Sequence, residues 1–141
     1  MNRVILDTNV LASGLRSSRG ASFVVLRLVY ERRLRPLLTV PLLFEYEDVL
    51  HRPEHMAHHG MSSAGVDEFL MEWTALSEAV EVHFRWRPQL ADPKDELVLE
   101  AAINGAADAL VTYNVRDFLD ASSSFGLRVL RPAELIVGMR T

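Results

Sequence analysis

The sequence opens on Val4-Ile5-Leu6-Asp7, three aliphatic residues that run straight into an acid. A run of this kind, two of its residues β-branched, reads as a short strand buried on both faces. Burial on both faces is the mark of a parallel sheet covered by helices on each side. Ligands of open α/β sheets gather at the carboxyl ends of the strands, so Asp7 stands where chemistry would occur. It also stands where the next helix would begin, and Asp7, Thr8 and Asn9 are all good N-caps. The stretch alone leaves both roles open. What decides is whether other carboxylates converge on the same place.

The rest of the chain repeats the alternation. Asn9–Leu15 reads as a short helix or turn, Ser17-Ser18-Arg19-Gly20 as a polar break, and Ala21–Leu34 as a helix with a basic far end. That end carries Arg27, Arg32, Arg33 and Arg35, which suit a helix C-terminus or a phosphate backbone. Leu37-Leu38-Thr39-Val40 is a second strand, and Pro41 begins a helix whose apolar face is Leu42, Leu43, Tyr46, Val49 and Leu50. Glu45 and Glu47 flank this face on opposite sides, so helical geometry does not choose between them. Asp48 and Phe44 point away from it, Phe44 towards another element or a partner subunit. Pro53 is expected to stop the helix, leaving Glu54–Gly60 as a solvated connection. His51, His55, His58 and His59 invite a zinc reading, but Pro53 breaks their register. Ser62 or Ser63 caps a helix over Ala64–Ala79, and Val80–Phe84 alternates as a strand. Trp86, flanked by Arg85 and Arg87, reads as a packing residue or a surface on which a base stacks.

Asp92-Pro93-Lys94-Asp95 then opens a helix to about Ala106, and Ala109-Leu110-Val111-Thr112 is another buried strand. Asn114–Leu119 starts a short helix, Ser122-Ser123-Ser124 marks a loop, Leu127–Leu130 a last strand, and Pro132–Val137 a terminal helix. No repeat or interdomain linker is evident. The expectation is a single α/β domain over residues 1–141, with a mainly parallel central sheet.

Composition bounds the function. The 141 residues are 49% hydrophobic and 24% charged, which describes a globular chain with a core. No apolar run approaches the roughly 20 residues that span a bilayer, and the opening residues are too short for a signal peptide. Without cysteine there is no disulfide framework or thiolate metal site, and the expected compartment is the cytoplasm. The formal net charge of −4 argues against binding nucleic acid through a global basic field, though not against acting on it.

On this plan Asp7 ends the first strand, Asn114 and Asp117 follow Ala109–Thr112, and Asp92 and Asp95 open the helix leading into that same strand. Sequence-distant acids thus collect on one rim. Each has a structural competitor: Asp92-Pro93-Lys94-Asp95 has the form of an N-cap, a proline at N1 and an acid at N3, and Asn114–Asp117 repeats that spacing. Asp108 reads as a turn residue. Crowded carboxylates stay charged only beside a counter-ion. Hard oxygen donors favour Mg²⁺ or Mn²⁺, which can promote metal-assisted hydrolysis of a phosphodiester.

Leu6-Asp7-Thr8-Asn9-Val10, Glu45 within EYEDVLHRP, the stretch DPKDELVLEAAINGAADALVT and the following YNVRDFL together resemble PIN-domain proteins. The likeness extends from Asp7 to the RPAEL segment and is nearest to the VapC-like toxin components of bacterial toxin–antitoxin systems. It implies a three-layer α/β/α, Mg²⁺-dependent ribonuclease that acts on RNA, forms a homodimer and is restrained by an antitoxin. By position, Asp7, Glu45 and Asp95 match the core metal-binding acids, so the resemblance selects Glu45 over Glu47. Thr8, Asn9 and Thr112 match supporting polar positions, and Asp92 lies in the DPxD pattern. Asn114 departs from the pattern, where many PIN domains carry aspartate. Its neutral oxygen would hold a second metal more weakly, and Asp117 is placed to compensate. One-metal and two-metal chemistry both remain open.

Two other readings are weighed. One is a catalytically weak binding module that assembles with an antitoxin, suggested by Phe44 and Asn114. The other is a phosphotransfer fold of the haloacid-dehalogenase or response-regulator kind. It fits poorly, because no second aspartate closely follows Asp7 and the chain's only lysine, Lys94, precedes Thr112.

Overall fold

The structure, a computed structural model, describes residues 2–84 and 92–139. Its strands are β1 (Arg3–Leu6), β2 (Arg35–Leu38), β3 (Glu78–Ala79), β4 (Ala109–Val111) and β5 (Val129–Leu130). They form one sheet in the order β3-β2-β1-β4-β5, and every pairing is parallel. β1 lies at the centre, and its Val4, Ile5 and Leu6 have no exposed surface. Residues buried on both faces require cover on both faces, which the helices supply. The doubly covered parallel sheet agrees with the α/β/α arrangement expected from the sequence.

Local signals set the helices. α1 (Thr8–Arg16) follows β1 directly, and α2 (Ala21–Tyr30) ends before the arginine-rich turn. Only Arg27 lies in the last turn of α2. α3 (Val40–Leu50) is capped by Thr39, whose side chain accepts from the Leu42 amide, so the second strand ends at Leu38. α5 (Ser63–Leu76) is capped by Ser62 and α6 (Pro93–Asn104) by Asp92. The chain closes with α7 (Val115–Phe125) and α8 (Pro132–Met139).

Three expectations are overturned. Pro53 does not leave a bare connection after α3 but occupies the first position of a further helix, α4 (Pro53–His59). There its missing N–H costs nothing. Ser122-Ser123-Ser124 is not a loop: α7 runs through it and stops at Gly126, whose φ of +66° suits glycine. The strand expected at Val80–Phe84 falls earlier, at Glu78–Ala79, with the Val80 amide donating to the Leu38 carbonyl. Beyond it the backbone bonds to a side chain instead of a strand. Asn104 accepts from the His83 and Phe84 amides and donates to the Phe84 carbonyl. The Arg85-Trp86-Arg87 segment lies outside the described residues.

The histidines serve these connections. His51 pairs with Asp67 at 2.9 Å and bonds the Glu47 carbonyl. His59 bridges the Leu50 carbonyl and the Met61 amide.

Candidate active site

In the β1–β4 register Leu6 pairs with Val111, so the residues that follow, Asp7 and Thr112, stand side by side at the carboxyl edge. The Asp7 amide donates to the Val111 carbonyl at 2.9 Å, extending the ladder by one bond. Asp7 occupies the N-cap position of α1, yet its side chain makes no capping hydrogen bond. Its Oδ2 instead accepts from the Thr112 hydroxyl at 2.8 Å. Thr112 has no exposed surface, and its hydroxyl also accepts from the Asn114 amide at 3.0 Å and, more loosely, from the Asn9 side chain at 3.5 Å. Two strand ends 105 residues apart in sequence thereby lock one carboxylate.

Burial dominates the electrostatics. Asp7 is 8% exposed, and desolvation pushes its pKa above the ordinary carboxylate value. The Thr112 hydroxyl and the amides of Thr8 and Asn9 oppose the rise, while Asp117 adds to it. Asp95, at the third position of α6, is raised to about 6, chiefly by burial and then by Asp7, Asp92, Asp117 and Glu96. Among the described residues, the charges that push Asp7 and Asp95 upward are carboxylates. Hard oxygen donors of this kind suit a divalent metal ion.

The other candidates divide. Asp92 uses its carboxylate to cap α6, accepting from the Lys94 amide at 2.9 Å, so it contributes field more than a free ligand oxygen. Asn114 caps α7 by position only, without a side-chain capping bond, and Asp117 is exposed in the first turn of that helix. Thr8 is buried at the start of α1. Glu45 is half-buried on α3 while Glu47 is exposed. The charge of Glu45 acts on Arg52. Among the described residues, no three Asp, Glu or His side chains are drawn together as a ready-made metal cage.

The arginines expected to contact phosphate lie elsewhere. Arg35 begins β2, at the amino edge of the parallel sheet, and pairs with Glu78, while Arg27 pairs with Glu31. Asp108 also serves that edge, accepting from the Asn2 and Arg3 amides.

Sequence reasoning missed Tyr46. Fully buried, it donates its hydroxyl to the Leu6 carbonyl immediately before Asp7, tying the helix that carries Glu45 to the end of β1. On an apolar stripe a tyrosine and a leucine give the same periodicity, so nothing in the pattern marked it. Glu96 and Glu100, both 4% exposed on α6, were missed as well.

A buried acid at the carboxyl end of the central strand, with further acids acting on it and on Asp95, marks an α/β protein with an acidic site at the carboxyl edge of a doubly covered parallel sheet. The PIN-domain family model matches residues 3–116, and the chain belongs to that family, whose members are in general nucleases. The fold is similar to a chain in the crystal structure of VapBC2 from Rickettsia felis bound to a DNA fragment from their promoter. That match has 14% sequence identity, a TM-score of 0.60, and covers 92% of this chain and 97% of the other. No curated protein sequence matches.

Proposed function

We propose that this protein is a Mg²⁺- or Mn²⁺-dependent endoribonuclease and the toxin component of a toxin–antitoxin pair. The observation that carries the reading is Asp7: a buried acid at the carboxyl end of β1, held by the Thr112 hydroxyl from the end of the neighbouring strand. Asp7 and Asp95 would hold the ion, with Asp117 and the Asn114 carbonyl oxygen completing its surroundings and Glu45 contributing through water. When bound, such an ion stabilises charge on a phosphodiester oxygen and lowers the pKa of a coordinated water. The chain's own part is to fix the donors. Thr112 orients Asp7, Tyr46 fixes the β1 terminus against α3, and the Asp92 cap fixes the start of α6 beneath Asp95.

RNA is the substrate implied by the family resemblance, and an antitoxin is the partner supported by the likeness to VapBC2. A second copy would pack on the exposed Val40, Phe44 and Met71, along α3 and α5. The expected compartment is the cytoplasm, and no helix among the described residues is long and apolar enough to cross a membrane.

Cleavage of RNA with Mg²⁺ or Mn²⁺ by the wild type and by Asp7→Asn tests the proposal. The variant is expected to lose at least about 100-fold in rate, and equal cleavage by both would reject it. The lack of a ready-made group of three metal-binding side chains among the described residues, with the neutral Asn114, favours a second reading as a catalytically weak module acting through assembly. Calorimetric titration with Mg²⁺ separates the two, because a pure assembly module shows no metal binding that depends on Asp7 and Asp95.

A further inference from the structure

Tyr113 follows Thr112 directly, with its Cα about 3.8 Å along the chain. It is 39% exposed, yet its hydroxyl and amide are engaged. Its hydroxyl bonds the hydroxyl of Ser22, which is itself 1% exposed, and stands 3.5 Å from Ser13 Oγ. Its amide faces Asn9 Oδ1 at 3.5 Å, and the Asn9 side-chain nitrogen reaches Thr112 Oγ1, the atom that holds Asp7. The ring is therefore anchored at its tip on α1 and α2 and at its base on the Asp7 network. What remains open is aromatic surface.

An anchored aromatic ring is a poor general acid and a good platform. Its orientation is fixed before binding, so a planar ligand stacks on it without the cost of ordering the side chain. Bases stack on aromatic side chains irrespective of sequence, because each presents a π face. Ser22 adds a second argument. Its buried hydroxyl would be costly to leave unpaired, and Tyr113 supplies a partner across 91 residues of sequence.

We propose that Tyr113 is a base-stacking platform, which receives the nucleobase of a single-stranded RNA nucleotide whose phosphate lies against the Asp7–Asp95 rim. This rests on the ribonuclease reading and adds the side chain that grips the base. Arg116, exposed three residues further on, is the cation nearest to Tyr113 in sequence.

The test uses a single-stranded RNA oligonucleotide carrying 2-aminopurine, whose fluorescence is quenched by stacking, with the full chain in the Asp7→Asn background to prevent cleavage. Tyr113→Leu is expected to abolish the quench and weaken RNA binding about 5- to 150-fold. Tyr113→Phe, which keeps the ring and loses only the hydroxyl, is expected to retain the quench and bind within about 3-fold, and it controls for loss of the Ser22 contact. Equal binding and equal quench in Tyr113→Leu overturn the inference, as does an equal loss in the Leu and Phe variants, which would assign the effect to the hydroxyl. If the protein with Tyr113 intact binds no RNA in either background, the ribonuclease reading fails first.

Discussion

At the scale of single residues, the acids separate by what their carboxylates touch. Asp7 and Asp92 both hold N-cap positions with extended backbone, and the sequence offers each the same two roles. Asp92 takes the cap. Asp7 turns to Thr112, which no local pattern reveals because the partner is 105 residues away. The carboxyl-edge position of Asp7 was legible from Val4-Ile5-Leu6, whereas its rotamer is a tertiary fact. Thr112→Val keeps the shape of the side chain and deletes three polar contacts at once. It leaves Asp7 with one donor fewer and the Asn114 amide without its acceptor, at a cost of about 1–3 kcal/mol in urea unfolding. Because the Thr112 hydroxyl lowers the pKa of Asp7, its removal raises that pKa further. The acid limb of the cleavage profile is expected to move to higher pH. A Thr112→Val protein with wild-type stability and an unmoved profile would remove Thr112 from the site.

At the scale of elements, the fold was legible wherever a helix or strand carries its own stop signal, and obscure where distant groups supply it. Ser122 and Ser124 looked like loop residues. In α7 their hydroxyls return to the Leu119 and Asp120 carbonyls, so within the helix they bond its own backbone, and it runs on to the Gly126 cap. The alternation of Val80–Phe84 was real but lacked a neighbouring strand, since Asn104 occupies that backbone. Glu78, pulled in by Arg3 and Arg35, instead sets where β3 pairs. The contact of α1 with α2 has a comparable hidden requirement. A Cβ at Gly14 would lie 2.6 Å from Leu26 Cδ1, 2.8 Å from Leu26 Cγ and 3.1 Å from the Ser22 carbonyl oxygen. Leu26 is buried, and the Ser22 carbonyl is backbone. Gly14→Ala gains up to about 1 kcal/mol of helix propensity but must part the two helices, and overpacking costs about 1–3 kcal/mol. The expected result is a lower urea midpoint with an unchanged slope. A higher midpoint would mean that the helices part at no cost.

Across the whole molecule, the two edges of the sheet titrate in opposite directions. At the amino edge Arg3 makes a two-pronged contact with Glu78 and reaches the Gly105 and Ala106 carbonyls, while Asp108 accepts from the first amides of the chain. Glu78 and Asp108 are held below their ordinary values, Glu78 first by its hydrogen bond with Arg3 and Asp108 first by the Arg3 amide. Their stabilisation is complete above the unfolded pKa and is lost as pH falls through the lowered folded values. At the carboxyl edge the sign reverses. Asp95 titrates at about 6 folded against 3.8 as a free group, so between those values the folded state binds more protons. Its contribution to stability therefore falls as pH rises across that window and stays lost above it. A cation bound by the ionised acids offsets that loss and adds stabilisation in proportion to its concentration over its Kd. The rise in Tm on adding Mg²⁺ is therefore expected to be small at pH 5 and several degrees at pH 8. Asp95→Asn removes part of the repulsion, so the metal-free variant is expected to melt above the wild type at pH 8 and to gain little from Mg²⁺. Thermal melts of both proteins at the two pH values, with and without Mg²⁺, read all of these terms. A Mg²⁺ effect of equal size at pH 5 and pH 8, or one preserved in Asp95→Asn, would place the ion away from the carboxyl edge and undo the assignment of Asp95.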